Sequence, residues 1–301
     1  MDYPKVCIII LNWNGYKDTV ECLESLQKIS YPNYKVIVVD NGSAENDVSN
    51  LRERFGDYIH LIENDRNYGF AEGNNIGMRY ALSNINPGYI LLLNNDTVVS
   101  PDFLTQLVDT AKNQGDIGIV GPKIYSYNEP NIISFIGTSI DWWHVGTWPI
   151  NEIDVGQFDE VREVDVVIGC ALLIKRETIE RIGLLYAGYF AYFEESEWCI
   201  QCQKAGYKIV YAPSAIIWHK LSATVSRAEG LYLYYMTRNR FLFMRRNATR
   251  IRLITFILRF FLWDVLWTTA AMLRHRDLKS LQVFYNGVID GIRAMLNMEC
   301  K

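Results

Sequence analysis

The sequence predicts an α/β fold: a mostly parallel central sheet flanked by helices, followed by a C-terminal helical region. Short apolar runs alternate with segments whose apolar residues recur at helical spacing, which indicates βαβ units. The first four of these runs are followed by turns rich in Asn, Asp and Gly. The last quarter of the chain is both apolar and basic. With 301 residues, half of them apolar, the chain can form a substantial core.

Four apolar runs are predicted to be the first four strands, and helical patterns separate them. The strand runs are 6–11, 36–39, 59–63 and 89–93, and the helical patterns are 16–28, 48–55 and a helix that ends at Leu82. Right-handed crossovers bring the carboxyl ends of such strands to one edge of the sheet. Ligands of open α/β folds bind at that edge, so we expect the functional site there.

The polar residues at this edge are the candidate site. They are Asn12, Asn14, Asp40, Asn41, Asn67, Asn74 and Asp96. Asp96 follows five apolar residues and two asparagines, and a carboxylate held there could position Mg²⁺ or Mn²⁺, which bridge phosphates. The alternative is that these residues only form turns and cap helices. A dinucleotide fingerprint and a P-loop lysine are both lacking after the first strand.

The second half of the chain contributes three further candidates. An apolar strand is predicted over 164–175, and Gly169 in its middle indicates close approach of another group. Glu194 and Glu195 precede a predicted helix over 196–204, where they could be dipole partners or could supply a general base. His219 follows a short strand and could be structural or a metal ligand.

The C-terminal region, predicted as 227–301, differs in charge from the body, predicted as 1–226. It carries 13 basic and five acidic residues, against 17 and 29 before it. Because the region is also apolar, a membrane surface is the expected anionic partner rather than nucleic acid. A helix is predicted over 227–246, and 251–273 is long enough to cross a membrane.

Charged residues within 251–273 favour a helix that lies in the membrane interface. Arg252, Arg259 and Asp264 interrupt the segment, and each charge at the bilayer centre costs about 2.5–3.5 kcal/mol. A true span, and burial in a homodimer or against the body, remain alternatives. The N-terminus lacks the features of a signal peptide, and the six scattered cysteines fit reduced thiols. We therefore expect a cytoplasmic protein associated peripherally with the inner face of the cell membrane.

Taken together, the motifs resemble those of family 2 glycosyltransferases with the GT-A fold, particularly the rhamnosyltransferase-like branch. The resemblance covers about residues 5–222, in the order that the family has. The matching segments are 8–14, 38–43, 67–71, 73–75, 93–96, 169–170, 193–195 and 218–219.

The resemblance implies a nucleotide-sugar site at the strand ends. Asn12, Asn14 and Asp40 would line the nucleoside pocket, with Asp40 accepting a hydrogen bond from a pyrimidine ring. Asn67 and Asn74 would lie beside the donor ribose or phosphate. The other nucleotide-binding candidates are Asn41, Gly69, Asn94 and Asn95.

The resemblance also implies the metal ligands and the base. Asn94-Asn95-Asp96 stands where the family has its D-x-D motif, so Asp96 is the expected ligand of Mg²⁺ or Mn²⁺, with His219 as a further ligand. Glu195 stands where the family usually has an aspartate base. Because Glu is one methylene longer, Glu194 could take that role instead. Contacts with an acceptor or a lipid diphosphate are expected from Trp198, Arg238 and Arg240.

The predicted activity is inverting, metal-dependent transfer of a sugar from a nucleotide-diphosphate sugar, either dTDP-rhamnose or a UDP-sugar. The acceptor is expected to be a hydroxyl of a lipid-linked or cell-envelope glycan. One alternative is a nucleotidyltransferase, which would need a basic, Gly-rich loop after the first strand to hold a triphosphate. The corresponding segment, 12–17, contains only one cation. A second is a non-catalytic protein that binds sugar nucleotides at a membrane surface.

Overall fold

The structure is a computed structural model that describes residues 3–44, 46–146, 149–220 and 229–297. The chain divides into two compact units. The sheet unit comprises 1–139, 148–190 and 194–223, and the helical unit comprises 140–147, 191–193 and 224–301. The domain boundary predicted between positions 226 and 227 lies outside the described residues.

The first half of the sheet unit alternates strands and helices as predicted. Its elements are β1 (Val6–Asn12), α1 (Tyr16–Leu26), β2 (Tyr34–Asp40), α2 (Asp47–Phe55), β3 (Ile59–Glu63), α3 (Gly69–Tyr80) and β4 (Tyr89–Asn94), with a π-helical turn (Ala81–Ile85) after α3. Strand β1 pairs in parallel with β2 and β4, and β2 pairs in parallel with β3. The carboxyl ends of these four strands therefore lie at one edge.

The second half extends the same sheet with mixed pairing. Its elements are β5 (Thr97–Val99), α4 (Phe103–Lys112), β6 (Ile117–Ser126), β7 (Ile132–Phe135), β8 (Glu152–Ile153), β9 (Arg162–Glu163), β10 (Ala171–Lys175), α5 (Arg176–Ile182), α6 (Glu194–Lys204) and β11 (Lys208–His219). The strand order is β3-β2-β1-β4-β10-β6-β11-β5. Strand β10 is antiparallel to both neighbours, whereas β11 is parallel to β6. The sheet is thus parallel through β4 and mixed beyond it.

Two predicted strands differ from those observed. The strand predicted over 164–175 begins only at Ala171, because Gly169 and Cys170 form a turn. The close approach expected at Gly169 is present: an added Cβ would lie 3.2 Å from the Phe70 ring. The short strand predicted before His219, over 209–211, is part of a longer strand, β11, which has an irregularity after Ala212. Proline at position 213 has no N–H for the ladder, which explains the irregularity.

The centre of the sheet unit is apolar on both faces of the sheet. Residues 6–10 of β1 are fully buried, and 90–93 of β4 are at most 2% exposed. Strands covered by helices on both faces carry continuous apolar runs, which is why the sequence shows no alternation here. The polar residues that follow these runs are therefore attached to rigid elements.

The helical unit contains four described helices. They are α7 (Glu229–Asn247), α8 (Arg250–Arg259), α9 (Val265–Arg274) and α10 (Leu278–Leu296). A π-helical turn (Phe260–Asp264) joins α8 to α9, so 250–274 is one continuous helix. By length and composition, this 25-residue helix could cross a membrane. The first two residues of the helix predicted over 227–246 lie outside the described residues.

Aromatic packing and a close approach at one glycine hold the helical unit together. The Phe241 ring meets the rings of Phe256 and Phe260 edge-on, with centroids 5.4 and 4.8 Å away. At Gly291 of α10, an added Cβ would lie 2.6 Å from the Phe241 ring. Glycine at this position therefore lets α10 lie close against α7.

Candidate active site

A hydrogen-bonded corner forms where β1 and β2 end. The Nδ2 atom of Asn12 donates to Asp40 Oδ2 (2.7 Å) and to Asp47 Oδ2 (3.0 Å). The backbone N–H of Ser43 donates to Asp40 Oδ1 (2.9 Å), and its hydroxyl donates to Asp40 Oδ2 (2.6 Å). Asn14, at φ 51°, donates its backbone N–H to Ser43 Oγ (2.9 Å). Asn12, Asn14 and Asp40 thus lie together, as predicted. Asn12 is fully buried and Asp40 is 2% exposed, so their side chains support this corner from within.

A second hydrogen-bonded group follows β2. Asn41 donates through Nδ2 to Asn67 Oδ1 (2.9 Å) and to the carbonyl of Gly69 (3.0 Å). Gly69 has a φ of +80°, and an added Cβ would lie 2.5 Å from the carbonyl oxygen of Phe190. Glycine is therefore required where α3 begins. Because Asn41 follows Asp40 directly, this group adjoins the first corner.

Asn74 does not join these groups. It is 2% exposed, and its Nδ2 atom donates to the Phe70 carbonyl (2.9 Å) within α3. The neighbouring Asn75 bonds the backbone of Leu185 in both directions (2.8 and 3.1 Å). In this geometry Asn74 supports its own helix, and no described contact supports the predicted role beside the donor.

Asn94 and Asn95 connect the β4 end to its neighbours. Asn95 Nδ2 donates to the Thr19 hydroxyl (2.9 Å), which in turn donates to Asn12 Oδ1 (2.7 Å). The backbone N–H of Asn94 donates to the carbonyl of Cys170 (2.8 Å). The turn that carries Asp96 is thereby tied both to the Asn12 corner and to the turn before β10.

Asp96 and His219 form a buried pair. Asp96 Oδ1 and His219 Nε2 are 3.1 Å apart, and pairing of β5 with β11 fixes their separation. Burial opposes ionisation of Asp96, but the hydrogen bond and charge of His219, with the charge of Lys220, outweigh it and lower the pKa of Asp96. Lys220 itself is held by Asp18 (2.7 Å) and Glu21 (2.6 Å).

The chemistry of this pair fits a divalent cation. Two ligands of one octahedral ion, each about 2.1 Å from it, lie about 3 Å apart, close to the Asp96–His219 separation. The His219 Nδ1 atom is buried and has no hydrogen-bond partner among the described residues. No cluster of three or more His, Cys, Asp or Glu side chains suited to a metal occurs in the described part of the chain.

Glu194, which is buried, and Glu195, which is half-buried, form a carboxyl pair in the first turn of α6. The two side chains share a hydrogen bond, and Oε2 of each is buried without a hydrogen-bond partner in the described ranges. Burial raises the pKa of both carboxyls, and the charge of Glu195 raises the pKa of Glu194 further. Backbone N–H groups at the helix start favour the ionised form of Glu195. The pair can therefore hold one proton and one negative charge.

Cys170 links the acidic pair to Asp96. Its thiol is buried, and burial, followed by the charges of Asp96 and Glu195, raises the thiol pKa well above its usual range. An added Cβ at the adjacent Gly169 would lie 3.6 Å from Glu195 Cβ. The two acidic groups therefore approach the same turn, from β4 on one side and α6 on the other. The Cys170 thiol stays protonated there.

The structure corrects one acceptor candidate and locates two others. Trp198 is 2% exposed, and its indole N–H donates to the Gly183 carbonyl (2.9 Å), so the ring fills the core and is closed to an acceptor. Arg238 and Arg240 belong to α7 of the helical unit.

Sequence reasoning missed several residues that complete the site. Ser43 bonds Asp40 and Asn14, and its position three residues after Asp40 is the turn spacing that could have revealed it. Thr19 and Cys170 join neighbouring strand ends, and Lys220 neutralises acidic residues beside Asp96. These three depend on tertiary contacts that no local pattern indicates.

Comparisons with known proteins agree on one family. Residues 7–183 match the family model described as "Glycosyl transferase family 2". The low-salt glycan biosynthesis hexosyltransferase Agl10 of Haloferax volcanii is 28% identical over 238 residues, 78% of this chain and 74% of that protein. The dTDP-rhamnosyl transferase RfbF of Shigella flexneri is 22% identical over 298 residues, 95% of each chain.

Solved structures show the same fold at low identity. A Pyrobaculum calidifontis mannosyltransferase in complex with GDP-Man and Mn²⁺ has a TM-score of 0.59 at 15% identity, covering 99% of this chain and 89% of that one. S. aureus TarS 1–349 in complex with UDP-GlcNAc has a TM-score of 0.60 at 15% identity, covering 97% and 81%. The GT-A fold expected from the sequence is confirmed.

Proposed function

The chain belongs to glycosyl transferase family 2, and from this premise we propose that it is an inverting, metal-dependent hexosyltransferase. The donor class is a nucleotide-diphosphate sugar, either dTDP-rhamnose or a UDP-sugar. The dTDP-rhamnosyl transferase of Shigella flexneri, which matches almost the whole chain, supports the first choice. One observation supports the proposal most directly: the Gly169–Cys170 turn is hydrogen-bonded to the strand end that precedes Asp96 and lies against Glu195.

Asp96 and His219 would hold the divalent cation, Mg²⁺ or Mn²⁺. When bound, the ion would stabilise negative charge on the departing nucleoside diphosphate. Asp96 is suited to this role because its lowered pKa keeps it ionised at neutral pH. Asn12, Asn14 and Asp40 would orient the nucleoside, with Asn41, Asn67 and Gly69 beside them. Asn94 and Asn95 would shape the turn that carries Asp96.

Glu195 would act as the general base. Its carboxylate takes the proton of the acceptor hydroxyl as the oxygen forms a bond to the anomeric carbon. The bond from that carbon to the diphosphate oxygen breaks, and its electron pair leaves with the diphosphate. Because no enzyme–sugar bond forms, the anomeric configuration inverts. Burial and the charge of Glu195 raise the pKa of Glu194, so Glu194 would hold the proton of the pair while Glu195 acts as the base.

The acceptor would be a lipid-linked or cell-envelope glycan. In the helical unit, Arg240 and Arg259 each have a buried Nε atom without a hydrogen-bond partner among the described residues. Arg259 pairs with Asp264 (2.7 Å), so one carboxylate stands against two guanidinium groups. A phosphate group of a lipid-linked acceptor would satisfy both donors. Arg238, whose guanidinium lies 5.8 Å from the Tyr235 ring centroid, adds positive charge to α7.

The helical unit would bring the enzyme to the cytoplasmic face of the cell membrane. The long helix exposes Ile251, Ile254, Leu258, Leu262, Trp263, Leu266 and Trp267. Basic residues stand at both of its ends, which suits an anionic lipid surface. Flotation with phosphatidylglycerol vesicles tests this: Trp263→Ser with Trp267→Ser should reduce vesicle binding. Ultracentrifugation without lipid tests the predicted homodimer through the C-terminal helices.

Nucleotide release in the presence of Mn²⁺ tests the activity. A panel of dTDP-, UDP- and GDP-sugars is incubated with candidate glycan acceptors, and the released nucleotide is identified. Glycosyl transfer releases a nucleoside diphosphate from the sugar nucleotide. A nucleotidyltransferase would instead release pyrophosphate in a separate reaction that contains a nucleoside triphosphate and a sugar 1-phosphate. The anomeric coupling constant of the isolated product reports inversion or retention. Release of no nucleotide, with intact binding of the donor, would favour a non-catalytic protein.

A further inference from the structure

A cleft of about 690 Å³ opens on one face of the sheet unit, formed over β6 and β11. Its floor includes Lys123 and Tyr125 from β6 and Ile216 and Trp218 from β11. These residues alternate along their strands, so their side chains share one face of the sheet. The intervening Ile124 is buried in the core on the other face. The cleft is within the size range of small-molecule and cofactor sites.

Two aromatic rings form a platform in the cleft. Tyr125 and Trp218 are register partners on neighbouring strands, with ring centroids 6.3 Å apart and planes 23° apart. The Tyr125 hydroxyl donates to Asp154, which fixes the ring. Both residues are only partly buried. An aromatic face carries negative charge and attracts the polarised C–H bonds on one face of a pyranose.

The charges beside the platform disfavour anions. Lys123 is 3% exposed and pairs with Asp154 Oδ2 (3.0 Å) and Asp159 Oδ1 (2.6 Å). Lys123 is the one cation among the described lining residues, and two carboxylates compensate it. Asp159 has a side chain that is 65% exposed, so its carboxylate remains open to hydroxyl donors. A phosphate or diphosphate would meet net negative charge here.

The cleft is separate from the Asp96–His219 pair. Trp218 and His219 are successive residues of β11, so their side chains point to opposite faces of the sheet. His219 faces Asp96, and Trp218 lines the cleft. A ligand in the cleft therefore lies across β11 from the proposed metal site.

We propose that this cleft is a binding site for a neutral saccharide unit of a glycan, distinct from the site of the reacting sugars. Trp218 and Tyr125 stack against the apolar face of the sugar ring, and the carboxylates of Asp154 and Asp159 accept hydrogen bonds from its hydroxyls. The inference rests on the proposed function only for the source of the glycan, which would be a remote unit of the acceptor or product.

Saturation-transfer NMR and calorimetry with neutral oligosaccharides test the proposal. The probes are rhamno-, gluco-, galacto- and N-acetylglucosamine oligosaccharides of two to six units, with a heparin-derived oligosaccharide as the anionic comparator. The full chain is used without donor or metal. We expect binding of at least one neutral oligosaccharide and weaker binding of the anionic one.

Matched variants locate the binding. Trp218→Ala should weaken the oligosaccharide that binds by about tenfold, whereas Trp218→Phe should retain most of its affinity because a ring remains. Asp159→Asn, at an exposed side chain, tests the hydroxyl contact without disturbing the core. Tyr186→Ala removes a partly exposed ring elsewhere in the sheet unit and should leave binding unchanged. Thermal unfolding confirms that each variant is folded.

The outcomes are distinct from those for the proposed activity. The inference is overturned if no neutral oligosaccharide binds, if the heparin fragment binds as tightly, or if Trp218→Ala and Asp159→Asn both keep wild-type affinity. Should Trp218→Ala fail to fold, Asp159→Asn and Trp218→Phe decide. Saccharide binding without nucleotide release would support the saccharide site and refute the proposed activity. Sugar transfer without saccharide binding would support the activity and refute the saccharide site.

Discussion

Two regions of the sheet-unit edge differ in how their polar groups are satisfied. In the Asn12 corner, both oxygens of Asp40 accept hydrogen bonds, and Asn12 both donates and accepts. In the acidic pair, Glu194 and Glu195 each keep a buried oxygen without a hydrogen bond in the described part of the chain. Because buried polar groups normally form hydrogen bonds, the hydrogen-bonded Asn12 corner indicates a rigid binding frame. The buried oxygens without hydrogen bonds in the Glu194–Glu195 pair indicate a group that takes part in the reaction.

The largest expected effect comes from Glu195. Glu195→Gln should lower turnover by about 10²–10⁴-fold, because an amide cannot accept the acceptor proton. Donor affinity should persist, since the residue lies outside the Asn12 corner. Steady-state kinetics and calorimetry with the donor measure both. Glu194→Gln is the matched control and should keep transfer within about tenfold of wild type. If Glu194→Gln loses activity and Glu195→Gln does not, the base is Glu194.

A somewhat smaller loss is expected from Asp96. Asp96→Ala should lower turnover by about 10²–10³-fold, as removal of a group that stabilises transition-state charge does elsewhere. It should also abolish tight Mn²⁺ binding, which electron paramagnetic resonance measures directly. Cys22→Ser, at a buried neighbour of the same turn, is the control. Wild-type Mn²⁺ affinity in Asp96→Ala would refute the assignment of this residue as a ligand.

The Asn12 corner should respond in stability rather than in chemistry. Asn12→Ala leaves Asp40, Asp47 and Thr19 without a shared partner, and an unsatisfied buried polar group costs about 1–3 kcal/mol. Denaturant unfolding should show this loss, and donor binding should weaken with it. Asn64→Ala removes a single hydrogen bond, from Asn64 Nδ2 to Asn41 Oδ1 (3.0 Å), and should cost less stability than Asn12→Ala. Unchanged stability of Asn12→Ala would mean that the corner is not a rigid frame.

The two acidic regions should also differ in pH dependence. The lowered pKa of Asp96 contributes stability above its unfolded value, about 3.9, and this is lost as pH falls through the folded pKa. The raised pKa of Glu194 acts in the opposite direction. Burial of this carboxyl costs the least folding free energy below about pH 4.3, and the cost grows as pH rises.

Unfolding free energies measured from pH 2 to 8 test this difference, because the Asp96 contribution is lost only below about pH 3.9. Glu194→Gln should gain stability relative to wild type as pH rises, because it removes a buried group that resists ionisation. Each pKa unit corresponds to about 1.4 kcal/mol. Asp96→Asn should instead be less stable than wild type at neutral pH. This difference in unfolding free energy should shrink as pH falls, because Asp96 of the wild type becomes protonated. A Glu194→Gln stability difference that stays constant with pH would contradict the raised pKa.

The sequence predicts the strand ends well because two local rules act together. Apolar runs covered on both faces define β1 and β4, and right-handed crossovers then bring Asn12, Asp40 and Asp96 to one edge. The same rules cannot tell a ligand contact from internal support. Asn74 looks like a site residue by position, yet its amide bonds its own helix. Trp198 lies one turn into α6, where the side that it faces depends on packing.

The π-helical turn over Phe260–Asp264 has a consequence for how the long helix meets its surroundings. In this turn the Val265 N–H bonds the Phe260 carbonyl, five residues back, which widens the helix. Arg259 and Asp264, also five apart, thereby reach each other at 2.7 Å with both side chains largely covered. Deletion of one residue here would restore ordinary helical spacing and rotate either Arg259 or Asp264 away from its partner. The apolar character of this helix surface thus depends on a single inserted residue.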